Sequence, residues 1–147
     1  MGDFTAEFPG DRLYARNHMW ARRLTDQRFR FGLTAYAVRL LQDVYFLDWI
    51  VQPSQPITVR GEMGSIESKK AESDLFAPVS GTLSAINDEA LDDPSVINAS
   101  PYDEGWLFEI DCAAADAAVL LTPTAYAAHL VDAWDVAQRT IKGQANY

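Results

Sequence analysis

The chain has 147 residues, 48% of them hydrophobic and 22% charged, which suits one globular domain and excludes an intrinsically disordered chain. Its net charge of −9 is uneven: residues 1–60 hold eight arginines against six acids, while residues 61–147 hold four basic residues against 15 acids. An acidic chain repels phosphate backbones, which argues against nucleic acid as a partner, and no run approaches the 18 apolar residues that a membrane span needs.

Residues 1–12 lack the basic start and apolar stretch of a secretory signal and read as a loose arm ahead of a single domain over 13–147. Leu13 to Trp20 is aromatic-rich and extended. Arg28 to Leu33 alternates charged and apolar residues, the period of a half-buried strand. Thr34 is placed to cap a short helix ending at Leu41. Val44 to Val51 is β-branched and aromatic, a strand by composition, stopped by Pro53 and Pro56. Thr58–Val59 and residues 63–68 read as strands, and 69–72 as a polar hairpin tip. Residues 74–81 form the returning strand, and Gly81 with 83–87 the next one. Residues 87–95 are acidic and turn-prone, and 105–111 make another strand. A C-terminal helical cap spans about 113–143: an alanine-rich stretch to Leu121, then Thr122-Pro123 as cap and first turn. Tyr126, Leu130, Trp134 and Ile141 lie on one face of it, and Gly143 stops it.

The side chains offer little to catalysis. His18, His129 and Cys112 are too few for a zinc site, and no nucleophile elbow, phosphate-binding loop or dinucleotide fingerprint occurs. One cysteine cannot make an internal disulfide, so a cytoplasmic protein is expected. Asp92 and Asp93 lack the spacing of a calcium loop and read as solvated. The lysines are more informative: there are three, Lys69, Lys70 and Lys142, and two stand together at a hairpin tip. A lysine amine between small neighbours is open to acylation, which removes its charge and lengthens a flexible stem. A bare solvated turn is the plain alternative, which would make the chain an unmodified binding module.

The sequence around that pair, ESKKAESDLFAPVSG, resembles the lipoyl-attachment hairpin of glycine cleavage H proteins, E-S-x-K-A-x-S-D-x-x-x-P-x-S-G. Glu67, Ser68, Lys70, Ala71, Ser73, Asp74, Pro78, Ser80 and Gly81 match it. Residues 87–98, residues 100–110, His18-x-Trp20 and Gly32-Leu33-Thr34 also fit, so the resemblance runs from 13 to about 130. It implies a mainly β, lipoyl/biotinyl-type flattened barrel or sandwich of two antiparallel sheets, with a short internal helix and C-terminal helices. It implies lipoic acid in amide linkage on Lys70 rather than Lys69, and a non-catalytic swinging-arm carrier. Biotin carriers set their lysine between methionines, which this tip lacks.

The resemblance also implies a cleft near the arm at His18, Met19 and Tyr36. The family usually has glutamate at the position of Met19 and histidine at that of Tyr36, and a carboxylate there would pair with a protonated methylamine. Neither Met19 nor Tyr36 can do so. On the sequence alone this favours the H-protein-like lipoate-binding proteins of bacterial sulfur oxidation, whose dithiol arm carries sulfur to a heterodisulfide-reductase-like complex. The alternative is the glycine cleavage system, with glycine decarboxylase, aminomethyltransferase and dihydrolipoyl dehydrogenase as partners. Either role requires a lipoate ligase or lipoyl transferase. The acidic stretch at Asp88, Glu89, Asp92 and Asp93 is a candidate docking patch.

Overall fold

The computed structural model describes residues 10–130. Two antiparallel sheets enclose the core. The larger has the strand order β1-β2-β3-β9-β8-β5: β1 (Leu13–Tyr14), β2 (Met19–Arg23), β3 (Arg28–Leu33), β9 (Phe108–Asp111), β8 (Gly81–Ile86) and β5 (Pro56–Ile57). The smaller is β4-β6-β7: β4 (Val44–Trp49), β6 (Glu62–Ser68) and β7 (Glu72–Phe76). This is the mainly β, two-sheet architecture expected from the sequence. Phe29, Phe31, Met63, Ile66, Leu75, Leu83, Phe108 and Ile110 fill the space between the sheets, each 5% exposed or less.

Several boundaries move, each for a physical reason. Leu13 to Trp20 is two strands rather than one, because residues 16–18 turn, with His18 at φ 67°. β5 lies at Pro56–Ile57 rather than Thr58–Val59; at the sheet edge a proline needs no ladder partner for its missing N–H. The returning strand of the hairpin ends at Phe76, and residues 77–80 are irregular.

The acidic stretch 87–95 is not a simple turn but part of two short helices, α2 (Asp88–Asp92) and α3 (Ser95–Ala99). Asn87 caps α2 by accepting the Glu89 N–H at 3.2 Å, and Asp88 and Glu89 sit favourably in its first turn. Each helix sends one fully buried side chain into the core, Ala90 from α2 and Ile97 from α3, while Asp88, Glu89, Asp92 and Ser95 stay exposed.

The internal helix α1 (Ala35–Leu41) forms as expected, with Thr34 Oγ1 accepting the Ala37 N–H. The alanine-rich stretch yields only α4 (Ala114–Ala117), after which Leu121 bridges Tyr14. A last helix, α5 (123–130), starts at the predicted cap, where Thr122 Oγ1 accepts the Ala125 N–H at 3.1 Å. Trp134, Ile141, Gly143 and most of the expected N-terminal arm lie outside the described residues. At the end of that arm Arg12 is held: its guanidinium donates to the Tyr102 carbonyl at 2.7 Å and lies over the Trp20 ring.

Gly64 on β6 faces β4 so closely that a Cβ would collide with the Asp48 carbonyl oxygen. Gly64→Ala is expected to force the two strands apart and cost about 1–3 kcal/mol. Urea unfolding checks this, and an unchanged midpoint would contradict it.

Candidate functional site

Lys70 lies in the turn between β6 and β7 and is exposed, as are Lys69 and Ala71. The backbone beneath it is held on two sides. Ser68, buried to 4% exposure, exchanges hydrogen bonds across the turn: its N–H donates to the Ala71 carbonyl at 2.9 Å and its hydroxyl to the same oxygen at 3.0 Å. The Ser68 oxygen in turn accepts the N–H groups of Ala71 and Lys70, at 3.1 and 3.3 Å. One buried hydroxyl therefore closes the turn, which explains a serine two residues before Lys70. On the other side, the Lys69 N–H donates to the Asp43 carbonyl at 2.8 Å, tying the tip to the connection between α1 and β4.

The other residues of the attachment motif have separate places. Glu67 pairs with Glu72 across the hairpin, and Ser65 with Asp74. With Phe46 and Asp48 of β4 in register beside them, these residues give the outer face of the small sheet an acidic character directly below the lysine. Ser73 lies opposite Ile66. Glu72, Asp74, Asp48 and Phe46 are exposed.

His18, Met19 and Tyr36 do not form one site. Met19 is 1% exposed and belongs to the core between the sheets, opposite Leu33 of β3. Strand alternation sends Trp20 to the other face, into a second cluster with Tyr14, Tyr36, Tyr126 and Leu130. His18 joins that cluster: its ring centroid is 4.9 Å from that of Tyr36 and 5.8 Å from that of His129. Tyr126 Oη stands 2.9 Å from His18 Nδ1 and 3.1 Å from Thr34 Oγ1, so one hydroxyl links α5 to the turn before β2 and to the cap of α1. Tyr14 stacks on Tyr126 with centroids 4.8 Å apart. This hydroxyl bridge was not legible in sequence, where His18 and Tyr126 are 108 positions apart.

The cluster at Thr34 and the tip tether at Asp43 flank the two ends of α1, whose seven residues rise about 10 Å. No hydrogen bond or ring contact described for His18, Met19 or Tyr36 reaches Lys70. The remaining matched motifs serve the scaffold: Trp20 Nε1 donates to the Pro101 carbonyl at 2.8 Å, and the Ala35 N–H donates to the Tyr102 hydroxyl at 3.0 Å.

The fold and the site define a carrier-type domain: a two-sheet body presenting an adjacent pair of exposed lysines on a turn whose backbone is hydrogen-bonded on two sides. Comparison with known proteins agrees. Residues 12–133 match the family model of the glycine cleavage H-protein. The glycine cleavage system H protein of Enterobacter sp. (strain 638) is 38% identical over 123 residues, covering 83% of this chain and 95% of that protein. The corresponding protein of Mycobacteroides abscessus is 38% identical over 109 residues, covering 74% and 82%. The crystal structure of a glycine cleavage system H protein from Mycobacterium marinum matches with a TM-score of 0.70 at 33% identity, covering 82% of this chain and 97% of that one.

The chain belongs to the glycine cleavage H-protein family. Proteins of this family are lipoyl carriers rather than enzymes. No helix among the described residues is long and apolar enough to cross a membrane.

Burial, followed by the nearby His129, lowers the His18 pKa from 6.5 to about 4. The unfolded chain therefore takes up this proton first as the pH falls, and the stability that neutral His18 provides is lost between about 6.5 and about 4. Thermal unfolding across this window should show a falling midpoint. In His18→Asn, which keeps a residue suited to φ 67°, the fall should be shallower. Equal slopes for the two proteins would contradict this account.

Proposed function

We propose that the chain carries lipoate in amide linkage on Lys70 and serves as the aminomethyl carrier of a cytoplasmic glycine cleavage system. The observation that carries the reading is the exposed Lys70 on a turn closed by buried Ser68, within a chain whose similarity to H proteins spans residues 12–133. The site suits the group. The amine stands free in water for a lipoate ligase or lipoyl transferase to reach, and its backbone is fixed by hydrogen bonds that do not involve the side chain. Once bound, the group supplies a dithiol able to hold a one-carbon amine. The protein keeps its anchor in a constant place while the long stem moves between glycine decarboxylase, aminomethyltransferase and dihydrolipoyl dehydrogenase. The acidic sheet face under the tip supplies charge for transient, steered encounters with those partners.

This reverses the order favoured on sequence alone, where Met19 and Tyr36 pointed to sulfur carriage. A methionine facing the core between the sheets has a packing role, and it says little about a cargo. The sulfur reading keeps one supporting observation: among the described residues, the hydrogen-bond and ring partners of the His18 side chain are Tyr36, Tyr126 and His129, none of them a carboxylate that could pair with a protonated amine. A heterodisulfide-reductase-like partner therefore remains the second reading.

Reconstitution separates the two. The lipoylated protein, given glycine decarboxylase and glycine, should gain an aminomethyl adduct by intact mass. Absence of the adduct, with sulfur transfer to the dithiol in its place, would favour the second reading. Separately, Lys70→Arg should abolish lipoylation and Lys69→Arg should leave it intact. Lipoylation that persisted in Lys70→Arg would refute the assigned site.

A further inference from the structure

We propose that Asn98 is the positioning residue that sets where the turn carrying Lys70 stands, an inference that rests on Lys70 being the attachment residue. Asn98 lies on α3, 28 positions after Lys70, and takes no part in the hairpin. Its side-chain amide spans the connection between α1 and β4. Oδ1 accepts the Val44 N–H at 2.8 Å, and Nδ2 donates to the Gln42 carbonyl at 2.6 Å.

Those two bonds lie on either side of Asp43, whose carbonyl accepts the Lys69 N–H. Holding residues 42 and 44 fixes the Asp43 peptide and hence the direction of the oxygen to which the tip is tied.

The connection needs such a clamp. Gln42 ends α1 at φ 62°, a conformation costly for a residue with a side chain, and the β4–β6 register slips between Val44 and Phe46. Helix geometry has ended there, and the ladder beside it is reduced to the single Val44–Ser68 pair before the register slips. An asparagine supplies a donor and an acceptor in one rigid plane, which fits a carbonyl and an N–H two residues apart. Asn98 is itself immobilised, because the adjacent Ile97 is fully buried and the Ser100 N–H closes α3 on the Val96 carbonyl at 2.9 Å. The chain of contacts runs from the core through α3, Asn98 and Asp43 to Lys69.

The clamp would act on lipoylation by presenting the amine at one fixed height and angle to the modifying enzyme. Small displacements of a reacting group cost much in rate even when the mutated residue is remote. Asn98→Ala removes both bonds, whereas Asn98→Asp keeps an acceptor for Val44 and opposes the Gln42 carbonyl.

Two measurements on the full chain test this: amide hydrogen exchange, and lipoylation kinetics with a lipoate ligase. In Asn98→Ala the Lys69 amide should exchange about fivefold faster while β3 and β9 amides keep their rates. The kcat/KM for lipoylation should fall about tenfold, with Asn98→Asp between the two proteins. An unchanged Lys69 rate overturns the proposal. So does faster exchange throughout both sheets, which would make Asn98 a general fold residue. Wild-type protein that accepts no lipoyl group on Lys70 defeats the carrier reading instead, and the Lys69 exchange rate then still decides the clamp.

Discussion

Ser68 is polar, yet its side chain is buried, and its hydroxyl hydrogen-bonds with three backbone groups of the turn that follows. A carrier lysine has to satisfy opposed demands: the amine must stand in water and move, while the backbone bearing it must stay in place. An exposed turn ordinarily gains little from packing and loses entropy when ordered. Here the ordering comes from hydrogen bonds that the lysine side chain does not share. Ser68 closes the turn from within, and Asp43 holds it from the neighbouring connection. The small sheet supplies the base, with Ile66 and Leu75 buried on its inner face and acidic residues on its outer one.

Much of this was legible in the sequence because the information was local. Thr34 as a cap, the period-2 pattern of 28–33 and the polar break at 69–72 each concern neighbouring residues, and each corresponds to an observed element or turn. Local reading failed where distant parts of the chain decide. The acidic run 87–95 has the composition of a turn, yet buried Ala90 and Ile97 and the Asn87 cap make it helical. The alanine-rich stretch has helix propensity, but only four residues form α4 before Leu121 leaves to bridge Tyr14.

The cleft shows the same limit. Met19 and Tyr36 differ from the usual family residues, and it was the resemblance to the family that placed them near the arm. The two lie on different elements and faces: Met19 on β2 faces the core between the sheets, while Tyr36 on α1 joins His18 and α5 in a second cluster. A substitution acquires a functional meaning only once the face it occupies is known, and that depends on the register between β2 and β3. The scarcity of lysine gains weight in turn. Where lysines are few, a pair at one ordered turn is conspicuous, and the structure gives Lys70 a hydrogen-bonded backbone and an exposed side chain.

Tryptic mapping of the lipoylated wild-type chain tests the central claim most directly. Trypsin cuts after free lysine and arginine but not after an acylated lysine. Lipoate on Lys70 therefore predicts a peptide ending at Lys69 and a modified peptide beginning at Lys70. A modified peptide running from Gly61 through Lys70, cut after Lys70, would put the group on Lys69 and contradict the account.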